Sequence, residues 1–342
     1  MRLYSFLAFL FLLLAPAALY ADGISNDHGY VVETSDSSIN WGNGLISASA
    51  EILPMQDTLD SMRTKAIAVR ESGVKARKKL LDSILGLPLS SSETVAQAFN
   101  GDIKTATTLR GIVQNSLLRT EDIPDGKVKV TASLNIVGDL ALAIIPPTLP
   151  FLSGIAPTLS GGRSGDIEPD VTGESSVEPA SFSGIVVDAR GLNLIPMLLP
   201  VIYDGKGIGI YGPFKVSRDS VLKNGLVSYV FDSSLGSYRE RVGNYPLIVK
   251  PVSTQGAVRG NLILSLDDSA KFRAALKRKS VVENCAVVIV MDRPVNDVIE
   301  NDTESAGAYD VGTVSAQTKS PAIDSELQEE PIVDEDLAPA LQ

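Results

Sequence analysis

A chain of 342 residues is long enough for one large or two ordinary domains, and its single cysteine excludes an internal disulfide, so buried apolar surface must hold the fold. The formal net charge of −11 is lopsided: beyond residue 301, ten acidic residues face the single base Lys319. The remainder is close to neutral and carries no basic stripe, which disfavours nucleic acid as a partner, because phosphate neutralisation needs clustered Lys and Arg.

Residues 1–21 have the three parts of a secretory signal: Arg2, an apolar run over residues 6–14, and a small-residue exit ending at Ala21. The run is short for a bilayer span of about 20 residues. No cysteine lies near the expected cut to take a lipid. Export to the periplasm or the outer-membrane surface is the expectation. Residues 22–38 are polar and predicted mobile, although Tyr30-Val31-Val32 has the pattern of a short edge strand.

Residues 39–51, INWGNGLISASAE, read as one strand with Trp41 as an apolar anchor. A long helix follows over residues 57–85. Leu59, Met62, Ala66, Val69, Gly73, Ala76, Leu80 and Ile84 recur at helical spacing, widened by Ile67, Val74 and Leu81. The basic cluster Lys75, Arg77, Lys78 and Lys79 reads as a solvated face of this helix. Gly86 and Pro88 end it. Ser90 and Glu93 have capping-box spacing for a short helix that stops at Asn100-Gly101. Residues 111–119 and 127–137 then read as a hairpin, with Val128, Val130, Ala132 and Leu134 on its buried face. The first domain, residues 39–152, is therefore a small β-α-β-β sheet-plus-helix unit.

Residues 153–181, rich in Gly, Ser, Pro and acids, are a predicted linker. The second domain covers residues 182–294, with α+β content and antiparallel strands. Residues 201–204 and 208–211 form its hairpin, and residues 226–231, 247–252, 261–266 and 286–291 its further strands. One helix is capped by Ser217 and stopped by Gly225; another runs from a cap at Asp268 to Lys279. Residues 295–342 are acidic, poor in aromatics and predicted disordered. The apolar stretches 136–155 and 192–203 are broken by prolines and read as buried or interfacial segments, not membrane spans.

The chemistry-bearing residues are sparse. His28 is the only histidine and falls in the polar N-terminal segment, so no histidine triad or histidine-ligated metal is assembled in the core. Cys285, ahead of an apolar strand, reads as a packed thiol. Gly207, Gly209 and Gly212 spell GxGxxG, but inside a hairpin and before Pro213, where no helix N-terminus receives a pyrophosphate. Asp188 and Arg190 stand two apart on a strand, face the same side and can form an ion pair. Tyr203, Tyr211, Tyr229, Tyr238 and Tyr245 read as half-buried sheet residues, with a stacking surface as the sharper alternative. No catalytic, cofactor or metal residue is assigned. The candidate interaction segment is Leu194, Ile195, Met197, Leu198 and Leu199, whose neighbouring prolines keep it out of a regular sheet; Ile144-Ile145-Pro146-Pro147 has the same character.

INWGNGLISASAE, the long helix and IPDGKVKV resemble the bacterial surface-lipoprotein family first known as a twenty-kilodalton antigen. That family is related to the N-terminal domain of flagellar assembly protein T and to basal-disk protein P. SGIVVDARG, PVIYDGKGIGIYGP and the closing VMD look like the C-terminal extension of larger members, so the resemblance covers about residues 39–293. The lipid-bearing cysteine of many such relatives is absent here. The resemblance implies a non-enzymatic envelope protein, a scaffold or assembly component of a flagellar or other surface machine. The partners it implies are envelope proteins, further copies of the chain itself, and the membrane surface through peripheral association. The competing class is a periplasmic binding module for peptidoglycan, glycan or a small ligand.

Overall fold

The computed structural model describes residues 29–54, 61–100, 102–159 and 182–293. The expected signal, His28, the first turn of the long helix, most of the linker and the acidic tail lie outside them. The class is α+β, as expected. The first half contains β1 (Val31–Glu33), β2 (Ser37–Asn40), β3 (Leu45–Ile52), α1 (Ser61–Leu85), α2 (Val95–Ala98), α3 (Ile103–Gln114), β4 (Leu117–Asp122), β5 (Val128–Asn135) and α4 (Asp139–Ile144). Its strands make one antiparallel sheet in the order β1-β2-β3-β5-β4.

Helix α1 lies on one face of this sheet because period-2 and period-3.6 patterns meet there. Ile46, Ala48 and Ala50 of β3 and Val128, Val130 and Ala132 of β5 are buried, and so are Ala68, Gly73, Ala76, Leu80 and Ile84 of α1. Small residues on both sides let helix and sheet approach closely. The central stripe expected on α1 is buried only from Gly73 onward, and Val74 beside it stays exposed. Before that the buried positions are Ala68 and Ser72, while Met62, Ala66 and Ile67 are exposed.

Four expectations change locally. Residues 39–51 form a hairpin: Asn40 Oδ1 accepts the Gly42 and Asn43 amides at 2.9 and 3.2 Å, and Gly44 closes the turn at φ 75°. The short edge strand expected at Tyr30-Val31-Val32 is present as β1, but the residues around it are part of this sheet and not a mobile lead-in. The capping box sits at Thr94 and Gln97, where each side chain pairs with the other's backbone amide. Residues 103–114 are helix, capped by Asp102 and packed through Leu109 and Val113, so the predicted strand begins only at Leu117.

The second half contains β6 (Ile185–Asp188), β7 (Ile202–Tyr203), β8 (Gly209–Tyr211), α5 (Arg218–Asn224), β9 (Ser228–Val230), α6 (Leu235–Val242), β10 (Leu247–Val249), β11 (Pro251–Gln255), β12 (Asn261–Leu264), α7 (Leu266–Leu276), α8 (Lys279–Glu283) and β13 (Val287–Val290). Here the antiparallel expectation is corrected. One sheet, β10-β6-β13-β9, is parallel throughout; the other, β11-β12-β7-β8, is mixed. The reason is in the strands: Ile185–Val187 and Val287–Val290 are buried at every position, the mark of strands covered on both faces. The strand expected at residues 247–252 divides at Pro251 between the two sheets. The cap of α7 is Ser265, whose Oγ accepts the Asp268 amide at 3.1 Å. The start of the predicted linker is also structural: Leu159 and Pro157 bond the hairpin through Gly207 O and the Gly209 amide, at 2.9 and 2.8 Å.

The halves share one hydrophobic cluster running from Trp41 and Ile46 to Phe272 and Ile289. Tyr229 is its bolt. Its carbonyl accepts the Tyr30 amide at 2.9 Å and its amide donates to Trp41 O at 3.2 Å. Its ring meets Trp41 edge-on, centroids 5.8 Å apart. Its hydroxyl donates to Met197 O at 2.9 Å and accepts the Met197 amide at 3.1 Å. The segment around Met197 is therefore a strap inside the molecule, which corrects the interaction-surface expectation. Leu194, Met197 and Leu199 are buried and Leu198 is half-buried; only Ile195 reaches 38 % exposure. The Leu198 and Leu199 amides bond the carbonyls of Pro88 and Leu89 at 3.0 and 2.9 Å, so the prolines exclude it from a sheet without freeing it. Ile144 and Ile145 are likewise buried.

Tyr229→Phe leaves the Met197 amide and carbonyl without their shared partner inside the core. The expected loss is about 2 kcal/mol in urea unfolding. A change below about 0.5 kcal/mol would show that the bolt is dispensable.

Candidate functional site

Three places gather polar chemistry. The first is the hairpin that carries the three glycines. Asp204, buried at its turn, accepts the Lys206 and Ile208 amides at 2.9 and 2.8 Å and pairs with Arg273 at 2.5 Å. Gly207 takes φ 78°, and a Cβ on Gly209 would stand 2.8 Å from Pro157 Cδ. Gly207 and Gly209 serve turn geometry and the close approach of residues 157–159.

The second place is the carboxyl end of the parallel sheet, where open α/β sheets ordinarily bind ligands. Asp188 and Arg190 pair there through both oxygens, Nε–Oδ1 at 2.7 Å and Nη2–Oδ2 at 2.6 Å. The guanidinium beside Asp188 holds its carboxyl below the usual range. Asp292 accepts the Gly191 amide at 2.7 Å, and Arg293 lies over the Phe231 ring at 4.9 Å. These groups brace the turn after β6 against the end of β13. Among the described residues no group of three or more His, Cys, Asp or Glu side chains is placed to hold a metal ion.

The third is a cavity of about 260 Å³ at the junction of the halves, lined by the β2–β3 turn at Trp41 to Gly44, Ile136, Met197, Leu198, residues 223–228, Tyr229 and Arg241. Arg241, in the last turn of α6, donates from Nε to Cys285 O and Val287 O, both at 3.0 Å. Its Nη1 donates to Asn224 O at 2.7 Å and its Nη2 to Gly225 O at 2.8 Å. Among the described residues no carboxylate pairs with it. Its charge is met by carbonyls at the C-terminal ends of α5 and α8, where helix dipoles are negative. Burial draws its pKa below the ordinary arginine value. A half-buried cation beside a cavity, with Lys223 on the wall, is chemistry that receives a carboxylate or phosphate.

Sequence reasoning missed Arg241. Helix α6 has no periodic apolar stripe to announce it, and one arginine among the charges of SYRERV gives no signal. Of the five tyrosines expected on sheets, Tyr203, Tyr211 and Tyr229 lie on strands and are buried; Tyr238 is buried on helix α6 instead, and Tyr245 lies outside the strands and is exposed. Cys285 is buried as expected, and burial pushes its thiol up to about 11.

Residues 184–293 match the family described as Treponema pallidum Tp0624, second domain. None of the curated proteins matches the chain. The matched stretch runs from just before β6 to Arg293. It contains both charged clusters, Tyr229 and Arg241, whereas the Trp41 side of the cavity lies outside it.

Two measurements check these assignments. Gly209→Ala should cost about 1–3 kcal/mol by overpacking against Pro157, while NAD, FAD and ATP leave the melting temperature of the wild type unmoved. A saturable shift with any of them would make the hairpin a phosphate site. The second is alkaline stability. The folded thiol of Cys285 holds its proton more tightly than the unfolded one, so its contribution is intact below the ordinary value of 9.0 and lost as pH rises through about 11. Stability should fall over that window by up to about 3 kcal/mol from this group, and Cys285→Ala should flatten the decline; equal slopes would refute the burial account.

Proposed function

We propose that the protein is a non-enzymatic component of the cell envelope, periplasmic or associated with the outer membrane, acting by contact as a scaffold or assembly subunit of a flagellar or other surface machine. The signal-like start and the family resemblance of residues 39–293 support the location and the setting. The observation that carries the contact role is a set of exposed apolar side chains on α1. The sequence of α1 has the apolar stripe of a packed helix, yet Met62 is 85 % exposed, Val74 62 % and Ile67 50 %. Apolar side chains gathered on one element without cover are what a binding surface for another protein requires.

A second reading, a periplasmic binding module, is favoured by the cavity beside Arg241. Its size suits a small acidic group, such as the carboxylate of a peptidoglycan peptide or a sugar acid, and not a whole glycan chain.

Met62→Glu combined with Val74→Glu separates the two. Both positions are exposed, so the melting temperature should hold within the small range of surface substitutions, about 0.5 kcal/mol. Sedimentation velocity should show association of the wild type weakened in the variant. A wild type that stays monomeric at every concentration, together with saturable calorimetric binding of a muropeptide that Arg241→Met abolishes, would reverse the order of the readings.

A further inference from the structure

Strand β4 is the outer strand of the antiparallel sheet, and all six of its residues are exposed. On its inner side it pairs with β5 without a break, from Leu117 opposite Ser133 to Asp122 opposite Val128. On its outer side no described strand takes its backbone N–H and C=O groups. It contains neither proline nor bulge, the usual means of closing such an edge. It is also held in place: Asp122 pairs with Lys65 of α1 at 2.7 Å, and Leu118 lies against Gly73. The edge is thus already in the conformation that pairing needs.

We propose that β4 pairs antiparallel with β4 of a second copy, about a two-fold axis at Thr120, joining the two five-stranded sheets into one. This deepens the contact reading and rests on it, by naming the partner as this same chain.

The register follows from parity and charge. Residues opposite each other across a ladder send their side chains to the same face and turn their backbone groups alike. A strand paired with itself can therefore match a residue only with one an even number of positions away. Of the registers that engage most of the strand, one centred on Arg119 sets guanidinium against guanidinium. One centred on Glu121 sets carboxylate against carboxylate. The register centred on Thr120 sets Arg119 of each copy opposite Glu121 of the other. It also sets Leu117, 73 % exposed, opposite the half-buried Ile123. Arg119 and Glu121 already meet within the strand, Nε to Oε1 at 2.9 Å, so both are turned to this one face. The same row of the sheet runs Glu51, Lys129, Glu121 across β3, β5 and β4. Arg119 of the second copy continues its alternation of sign, and opposite charges side by side across strands are the favourable arrangement.

The test uses the full chain in sedimentation velocity with three variants and Arg119→Cys as a control. Arg119→Glu should weaken dimerisation at least tenfold with unchanged circular dichroism. Arg119→Glu with Glu121→Arg should restore it, because the swapped charges again meet across the axis. Thr120→Cys should form a disulfide dimer under mild oxidation, since Thr120 meets its own copy and Cys285 is buried, whereas Arg119→Cys should not. A dimer indifferent to Arg119→Glu, a double variant no better than the single one, or a Thr120→Cys protein that stays monomeric would overturn the proposal. If the wild type associates but ignores all three variants, β4 is excluded while the contact reading stands on the α1 surface. A strictly monomeric wild type excludes the β4 dimer outright.

Discussion

Strand β9 has no free side. One edge is held by β13 in the parallel sheet, and the other is taken by Gly29, Tyr30 and Trp41 of the first half. Tyr229 sits at the centre of this strand and spends every polar group it has: amide, carbonyl and both capacities of the hydroxyl. A tyrosine that is fully buried with each hydrogen-bonding group matched fixes its neighbours as strictly as a short disulfide would, because any displacement strands a donor in apolar surroundings. The Trp41 turn, the Met197 strap and the parallel sheet are placed relative to one another through it. The absence of a second cysteine is compatible with stability because this junction makes the two halves one core.

Arg241 extends the same logic to a charge. A cation partly withdrawn from water without a carboxylate would ordinarily be costly. Here four carbonyls from two helix ends and the start of β13 surround it, so the partial charges those ends cannot satisfy internally become its counter-charge. The consequence is positional: the loop of residues 223–228, which forms one wall of the cavity, is held at Asn224 and Gly225 by the guanidinium. A lysine could not reach these carbonyls in two directions at once, since its donors radiate from one atom. The cavity therefore has a rigid cationic wall and an aromatic one, Trp41 with Tyr229, before any ligand arrives.

What the sequence disclosed depended on whether a local pattern carried the information. The alternation of Val128, Val130 and Ala132, the Ser217 and Gly225 caps, the hairpin at Asp204 and the packed Cys285 are local facts and were legible. Hairpin against strand at residues 39–51 turned on one side chain, Asn40, folding back onto two amides, which composition does not reveal. Parallel against antiparallel pairing is a matter of crossover, and only the unbroken apolar runs of β6 and β13 hinted at it. The strap was misread for a physical reason. Prolines at 196 and 200 do exclude regular strand pairing, but the amides between them still found carbonyls at Pro88 and Leu89, a partnership more than a hundred residues away. Arg241 was beyond reach, because its role exists only after three elements have converged on it.

The sheets deal with their edges in different ways. Strands β1 and β10 are three residues long and offer little to pair with. Strand β11 opens on Pro251 and shifts register before Ser253, β8 is covered by residues 157–159, and β9 by the first half. Strand β4 is protected by none of these means and carries charge instead. Charge at an edge commonly serves to keep strands apart, and a run of one sign would do that in every register. The order in β4 does something narrower. With Arg119 and Glu121 flanking Thr120, displacement by two residues in either direction brings like charges together, whereas the centred register brings opposite ones together at both ends of the axis. An edge built only for solitude would not need that distinction; one that must accept a single partner in a single register does.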